Sequence, residues 1–406
     1  MKSLLELFEI KEAYRLPDAI MEALFREDAA VTVERIKTEC GTDFRDVFQE
    51  EQGDRKSLKQ DFTPDCVANI VSKICKKGSS IDMCSGTGTL SKVLRGKVDE
   101  YELSERTIPF ALLDACVNGL EGFISRADCL RDKVLESYEL ISSGGISIPV
   151  KTDIRAIPKV DNVVMNPPYS MQFSDAESIP IMDFTIPKSK ADYGFLLRGL
   201  EHINENGRVV AILPHGILFR GGAEGKIREW LVTNELIRAV IGLPDKLFLN
   251  TSIPVCIIVL ERDSHNILFI DASKDYEKKA AQNDMTAEHI EKVVKTFENR
   301  TEVEKYAHLA LISEIEKNQF NLNIPRYVDN FEPEPLPDAA EILKSLKKID
   351  EEEAVLKNQL YKMLNELQAC NIEDEKVIKQ HRTLLKPKKK TDQLELEDLF
   401  ESAMHI

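Results

Sequence analysis

Three acidic side chains stand at or near the ends of three successive strand-like runs, SSIDMC, DEYELS and GFISRAD. They are Asp82, Glu102 and Asp128, and Glu105 competes with Glu102 for the second place. Singly, such acids are more typical of helix caps or solvated charges. Parallel strands bring their carboxyl ends to one edge of a sheet, where an acid 20 residues after the first can accept both hydroxyls of a ribose. Together the three acids predict a nucleoside cofactor, with Asp128 accepting a bond from an exocyclic amine.

A glycine loop, CSGTGTL, follows the first of these runs. Gly86 and Gly88 allow a tight backbone turn, and a helix is predicted to begin near Leu90. The free amides of a helix N-terminus favour anionic or polar groups. The spacing is shorter than the dinucleotide fingerprint G-x-G-x-x-G, so by itself it is equally typical of a structural turn.

A fourth run, DNVVM, ends in Asn166, Pro167, Pro168 and Tyr169. Two prolines cannot continue a sheet, so the strand must stop there. The side-chain oxygen of Asn166 and the carbonyl of Pro167 would then be two fixed acceptors for one planar amino group. Tyr169 would offer a ring on which a base can stack. A proline-rich loop without chemistry is the alternative, and the three preceding strand ends argue against it.

The elements that would position these residues alternate between short apolar strands and amphipathic helices, which predicts a doubly wound, mostly parallel α/β sheet. The predicted strands are 79–84, 99–104, 122–128, 161–166, 207–214, 238–244 and 254–261. The predicted helices between them are PDCVANIVSKICKK, ERTIPFALLDACVNG, ADYGFLLRGLEHINEN and GKIREWLVTNE.

The predicted organisation of the 406 residues has four parts. A short helical region (1–57) precedes the sheet domain (58–330), and a Pro- and acid-rich linker (331–340) leads to a helical segment with a charged tail (341–406). The first turns lack the apolar core of a signal peptide, and no run is long enough to span a bilayer, so we expect a cytoplasmic protein without membrane contact. The eight cysteines form no CxxC pair, which favours reduced thiols and no metal site.

Beyond the linker, apolar residues recur at alternating spacings of four and three. This heptad seam comprises Ile342, Leu346, Ile349, Glu353, Leu356, Leu360, Met363 and Leu367, with Glu353 as its one polar position. Such a helix packs either on its own domain or on a partner's helix, and the linker favours a partner. The net charge of −16 argues against this chain alone gripping a phosphate backbone, so a basic partner would be needed for a nucleic-acid substrate.

The sequence resembles the amino-group methyltransferases that use S-adenosylmethionine, and more closely the modification (M) subunits of type I restriction-modification systems. The resemblance covers residues 58–330. Its most specific stretches are DFTPDCVANIVSKI, NPPYS, GRVVAILPHGILFRGGAEGKIREWL, AVIGLPDKLFLNTSIPVCIIVLE, LFIDAS and QFNLNIPRYVD. It implies a seven-stranded methyltransferase sheet with an antiparallel last strand. It also implies methylation of adenine N6 in DNA, with a specificity subunit reading the target.

The resemblance also implies a role for each site residue. Those for the cofactor are Phe62, Thr63 and Pro64 at its methionine end, Asp82, Gly86 and Gly88 beneath it, Glu102 at the ribose and Asp128 at the adenine amine. Residues 166–169 would receive the target base. The chain departs from the family's usual Asp-Pro and glycine-rich loop, since it has Asp82-Met83 and Thr89 after the second glycine. Asp61 also replaces an aromatic residue often found before Phe-Thr-Pro.

The mechanism expected from this resemblance is direct methyl transfer from the sulfonium to the N6 of a flipped adenine, without a metal or a side-chain nucleophile. The expected assembly is two M subunits on one DNA-reading specificity subunit, with a restriction subunit as a further candidate partner. Two alternatives stay open. One is methylation of a protein glutamine or an RNA base, because NPPY and related NPP motifs serve those amines. The other is a non-catalytic assembly subunit that kept the fold.

Overall fold

A computed structural model describes residues 2–45, 47–48, 62–94, 96–173, 178–248, 253–279, 282–330 and 339–386. The chain divides into two compact units, Met1–Phe331 and Glu332–Ile406. Asp61, most of the predicted linker and the charged tail lie outside the described residues. The four-part division predicted from the sequence stays a prediction.

The first unit is built around one large sheet and two small two-stranded sheets. In chain order the strands are β1 (Ser80–Met83), β2 (Val98–Glu102), β3 (Gly122–Asp128), β4 (Lys133–Ser143), β5 (Ile146–Thr152), β6 (Val160–Met165), β7 (Pro180–Ile181), β8 (Phe184–Thr185), β9 (Ile203–Pro214), β10 (Ile237–Gly242), β11 (Val255–Leu260), β12 (Asn266–Asp271), β13 (Glu277–Lys278), β14 (Asn283–Asp284) and β15 (Ala307–Leu311). The large sheet has the order β15-β12-β10-β11-β9-β6-β1-β2-β3-β4-β5.

Five neighbouring strands at the centre of this sheet, from β9 through β6, β1 and β2 to β3, are parallel. The chain builds outward from β1 to β3, then crosses back and builds outward on the other side from β6 to β9. The order therefore reverses between β1 and β6. In open α/β sheets, ligands bind outside the carboxyl ends of the strands at such a switch point.

The sheet has eleven strands within the described residues, and the seven expected from the resemblance are its contiguous core, in the order β10-β11-β9-β6-β1-β2-β3. All seven strands predicted from the sequence are present. The last of them, β11, is antiparallel to both its neighbours, as expected. A hairpin, β4–β5, extends one edge, and β12 and β15 extend the other. The hairpin lies within the connection between β3 and β6.

The helices of the described residues cover both faces of the sheet and also form the second unit. They are α1 (Leu4–Leu7), α2 (Leu16–Leu24), α3 (Ala29–Cys40), α4 (Asp65–Ile74), α5 (Thr89–Val93), α6 (Ile108–Asn118), α7 (Asp192–Glu201), α8 (Ala223–Thr233), α9 (Ala287–Asn299), α10 (Ile312–Lys317), α11 (Ala339–Glu366) and α12 (Ile372–Leu384). Single 3₁₀ turns occupy Ala13–Arg15, His215–Leu218 and Ile324–Arg326.

Alternate residues of the central strands feed two separate cores. Val163 of β6 points to the side of α7 and α8, and its neighbour Val164 points to the side of α4 and α9. Both valines are fully buried. This explains why the central strands are continuously apolar, since parallel strands covered by helices on both faces have no solvent side.

The N-terminal helices form a third core against α6 and the β3–β4–β5 edge. Leu16 and Ile20 of α2 and Ile36 of α3 pack with Phe110 and Leu113 of α6. All residues of α6 except Asn118 are buried, because one side of the helix faces the sheet and the other faces these N-terminal helices. The short N-terminal helical region therefore shares a core with the sheet.

The second unit contains α11 and α12. The guanidinium of Arg382 on α12 donates from Nε to the carbonyl of Leu364, at 2.9 Å, and joins the two helices. All seven apolar residues of the heptad seam are exposed; Leu356 and Met363, for example, are 63% and 64% accessible. In the part of the chain that the structure describes, no helix is long and apolar enough to cross a membrane.

Candidate functional site

The candidate site is a cleft at the switch point of the sheet, where the loops after β1, β2, β3 and β6 meet. It encloses about 1130 Å³, part of it open to solvent. Nine of the twelve residues predicted from the sequence line it, namely Phe62, Thr63, Gly86, Glu102, Asp128 and residues 166–169. The other three, Pro64, Asp82 and Gly88, lie behind this lining.

The loop after β1 turns through three residues with positive φ. They are Cys84 (65°), Gly86 (58°) and Gly88 (83°). Glycine is needed at positions 86 and 88 for different reasons. A Cβ on Gly88 would lie 3.1 Å from the Glu100 carboxylate, so Gly88 permits close packing behind the loop. A Cβ on Gly86 would meet nothing within 4 Å, so Gly86 faces open space on the ligand side.

The same loop carries two hydroxyls that no prediction from the sequence singled out. Ser85 Oγ and Thr87 Oγ1 are buried, belong to residues that line the cleft, and have no hydrogen-bond partner among the described residues. Buried polar atoms in folded proteins nearly always have partners. The loop therefore fits a polar ligand that would supply them. Ser and Thr are common in glycine loops, so their residue types gave no signal.

Glu102 ends β2 and is buried, with 7% of its surface accessible. Its Oε2 accepts from the amide of Gly86 at 3.0 Å, and its Oε1 accepts from the amide of Ser104 at 2.8 Å. Burial raises the pKa of this carboxyl, and the backbone bonds oppose that rise. Each carboxylate oxygen has a second lone pair, so Glu102 can hold the glycine loop and still accept ligand hydroxyls.

Asp128 ends β3 and forms an ion pair with Arg131, a residue that the sequence analysis missed. Arg131 donates its amide to Asp128 Oδ1 at 3.1 Å and its Nη1 to Oδ2 at 2.5 Å. Both residues line the cleft. An amine that bonds to Asp128 would share the carboxylate with this guanidinium.

Asp82 is fully buried behind the loop and lies beside Glu100 in the register of β1 and β2. Ser91 Oγ donates to its Oδ2 at 3.1 Å. Burial raises the pKa of Asp82 to about 8, and the nearby Glu102 charge adds to the rise. Burial and the charge of Asp82 also raise the pKa of Glu100. Asp82 therefore supports the loop from the protein side and is not exposed to the cleft.

On the opposite wall, the side-chain amide of Asn166 is oriented by Thr63. Asn166 Nδ2 donates to Thr63 Oγ1 at 3.0 Å, and Thr63 is buried. This bond engages the NH₂ end of the amide and leaves Oδ1, an acceptor, as the other end. Two rigid prolines follow immediately, and both line the cleft beside Asn166.

The ring of Tyr169 also lines the cleft but is only 5% accessible, because it packs edge-on against Phe248 with centroids 6.1 Å apart. The next residue, Ser170, has a φ of 50°, which turns the chain sharply after the motif. The predicted platform is thus a packed, pre-positioned ring.

A buried ion pair holds this turn in place. Ser170 donates its amide to Asp192 Oδ1 at 2.8 Å, and Arg220 donates to Asp192 Oδ2 at 2.9 Å and to Ser170 Oγ at 3.0 Å. Asp192 is fully buried. A Cβ on Gly216 would lie 2.5 Å from the guanidinium, so only glycine gives Arg220 room there. The sequence analysis missed all of these residues, because no local motif connects them.

Comparisons with known proteins identify the family of this chain. The sequence model of the N-6 DNA methylase family matches residues 47–335. A type I restriction enzyme methylase subunit of Mycoplasma pneumoniae is 30% identical over 305 residues, which are 68% of this chain and 54% of that protein. The MjaIX methylase subunit of Methanocaldococcus jannaschii is 28% identical over 348 residues, 75% of this chain and 59% of that protein.

A solved structure is also similar. The type I restriction-modification methyltransferase subunit of Streptococcus thermophilus has a TM-score of 0.57 and 35% identity, over 66% of this chain and 59% of that one. The chain thus spans little more than half the length of these relatives. Because the family model covers well over half of the chain, this protein belongs to the N-6 DNA methylase family.

Proposed function

We propose that this chain is the modification subunit of a type I restriction-modification system, and that it transfers a methyl group from S-adenosylmethionine to the N6 of adenine in DNA. One observation carries the proposal: at the switch point of the sheet, Thr63 engages the NH₂ end of Asn166, so the other end of the amide is an acceptor, and Asn166 and Pro167 both line the cleft. The match to the N-6 DNA methylase family model supports the substrate, and the relatives named as type I methylase subunits support the type of system.

The residues that fit the cofactor lie on the β1–β3 wall. Glu102 would accept the ribose hydroxyls, and Asp128 would accept a bond from the adenine amine. The hydroxyls of Ser85 and Thr87 would gain the partners they lack, and Phe62 would lie near the methionine end. Asp82 and Gly88 would support the loop from behind, next to Pro64 at the start of α4. When bound, S-adenosylmethionine supplies an electrophilic methyl group on a sulfonium.

The β6 wall would receive the target amine. Asn166 Oδ1 and the Pro167 carbonyl would each accept one N–H bond. The nitrogen lone pair is otherwise delocalised into the ring, and these two bonds leave it more available for attack. Neither acceptor is a base at neutral pH, so the protein's part is to hold and orient the amine. The methylated nitrogen would be a strongly acidic cation, and it would lose its extra proton to water after the transfer. Tyr169 would contribute its ring face to a base that has left the duplex.

A partner would bring the DNA. The chain has a net charge of −16, which opposes binding to a phosphate backbone, and the exposed apolar seam of α11 suits a second helix. We infer that the partner is a specificity subunit with similar exposed helices, shared by two copies of this chain, and that a restriction subunit joins the complex. The heptad seam would then be the assembly surface.

The decisive experiment is to co-express the chain with a specificity-like subunit encoded beside it and to map N6-methyladenine in the host DNA. Methylation at one discrete sequence is expected with the wild type and far less with Asn166→Ala. If methylation stayed at the wild-type level after the substitution, the role of Asn166 would be wrong. Methyl incorporation into protein or RNA without any DNA would favour the alternative substrates. No binding of S-adenosylmethionine in calorimetry would favour a non-catalytic assembly subunit.

A further inference from the structure

Thr63 is predicted by the resemblance to touch the methionine end of the cofactor, yet its side chain forms a hydrogen bond with the other wall. Its Oγ1 accepts the hydrogen bond from Asn166 Nδ2 at 3.0 Å, although the two residues are 103 positions apart in the sequence. The hydroxyl is therefore bonded to the residue proposed to bind the substrate amine. This contact connects the segment before α4 to the end of β6.

The segment that carries Thr63 is firmly anchored. Phe62 packs edge-on against Phe48 with ring centroids 5.6 Å apart, and Phe48 packs in the same way against Phe110 of α6 at 5.0 Å. On the other side, Pro64 is the N-cap of α4, and its carbonyl accepts from the amide of Ala68. A hydroxyl on such a support keeps a fixed position, which is what an orienting group requires.

The direction of the bond decides which end of the amide faces the substrate. An amino group that is about to be methylated offers two N–H donors, so the amide must present its oxygen. In that orientation the NH₂ end of Asn166 needs an acceptor on the opposite side, and Thr63 Oγ1 supplies one. With the amide turned over, NH₂ would face the N–H groups of the substrate, donor against donor.

We propose that Thr63 is a positioning residue for methyl transfer, which acts through Asn166 by fixing the amide with Oδ1 toward the substrate amine. This inference rests on the proposed function and adds a role for Thr63 that is separate from cofactor binding. The conservative test pair is Thr63→Val, which keeps the shape and removes the hydroxyl, and Thr63→Ser, which keeps the hydroxyl.

The test uses the full chain assembled with its specificity subunit, and it measures kcat on target DNA and, separately, the Kd for S-adenosylmethionine by calorimetry. We expect Thr63→Val to lower kcat about tenfold, the value of one hydrogen bond of ordinary strength, with the Kd within about twofold of wild type. Thr63→Ser should recover most of kcat. Thr87→Val, which removes a hydroxyl from the other wall, is the matched control and should raise the Kd.

Two outcomes would overturn the inference. One is a Thr63→Val variant that binds the cofactor more weakly and keeps its kcat at saturation, since that is the behaviour of a cofactor contact. The other is a Thr63→Ser variant as slow as Thr63→Val, which would show that the hydroxyl does not matter. The kcat of Thr63→Ser remains informative even if the Thr63→Val variant folds poorly. A wild-type complex that methylates no DNA would instead count against the proposed function.

Discussion

The two walls of the cleft are held by different kinds of contact. On the β1–β3 wall the partners are near in sequence: Glu102 and Gly86 are 16 residues apart, and Asp128 and Arg131 only three. On the β6 wall they are distant: Ser170 is 50 residues from Arg220, and Asn166 is 103 from Thr63. Nearby residues can order one loop independently of the rest, whereas distant contacts form only when the whole sheet has assembled.

Because the two walls are held by different contacts, we expect substitutions on them to change different kinetic constants. If the β1–β3 wall holds the cofactor and the β6 wall holds the amine, substitutions on the first should change the Kd for S-adenosylmethionine. Substitutions on the second should change kcat at saturating cofactor.

Asn166→Ala should abolish most activity without loosening the cofactor. It removes the acceptor nearest the reacting nitrogen, and removing one pre-organised group of this kind typically costs about 10²–10³ in kcat. Calorimetry should give a Kd for S-adenosylmethionine within about twofold of wild type. A Kd that rose in parallel with the loss of kcat would mean that the walls are not separate.

Glu102→Gln should have the opposite signature. One backbone amide, of Gly86 or Ser104, would then face an NH₂ group, and the ribose hydroxyls would lose a charged acceptor. We expect the Kd for S-adenosylmethionine to rise about tenfold, with kcat nearly recovered at saturation. Glu105→Gln is the matched control, because the Glu105 side chain is 84% exposed. If both variants raised the Kd equally, the assignment of the ribose to Glu102 would be contradicted.

Arg220→Lys should reduce kcat about fivefold and leave the cofactor Kd unchanged. The lysine keeps a positive charge beside the buried Asp192 and loses the forked geometry that also reaches Ser170 Oγ. The turn after Tyr169 would then be held less tightly. Ser170→Ala removes the same bond from the other side and should give a similar decrease in steady-state assays; a fully active Ser170→Ala would contradict this account.

The last predicted effect is on stability, not on kinetics, and concerns only the β1–β3 wall. The pKa of Asp82 is about 8 in the fold and near 3.8 in an unfolded chain, so folding retains a proton that the unfolded chain releases. The associated stability is complete below pH 4 and is lost as the pH rises toward 8. Asp82→Asn should flatten the fall of Tm between pH 5 and pH 8.5. An unchanged slope would contradict it, and Glu105→Gln is again the control.

Much of the fold could be predicted because its central strands are buried on both faces and therefore apolar throughout. The strands that were not predicted from the sequence have a less regular apolar pattern or lie at the edges of the sheet. The β4–β5 hairpin is at an edge and mixes polar with apolar residues. The helix predicted through INEN ends at Glu201, and Ile203 already begins β9, because two cap bonds at His202 close the helix there.

The residues that line the candidate site could be predicted from the sequence, but the contacts that hold them in place could not. Strand ends indicated Glu102, Asp128 and residues 166–169, and all of them line the cleft. The alternation of side chains along β1 turns Asp82 away from it, which a position near a strand end does not show. Arg220 and Asp192 carry no motif, since their role follows only from the way that the loops fold together.

The exposed seam of α11 has a consequence for the supply of the protein in a cell. A chain made in excess of its partner displays leucines and isoleucines on a long helix, and such surfaces attract chaperones, proteases or other copies of the same chain. We expect surplus subunits to be removed or sequestered, so that the scarcer partner sets the number of working complexes. Coordinated synthesis of the two chains would then determine how many working complexes form as well as which DNA sequence they recognise.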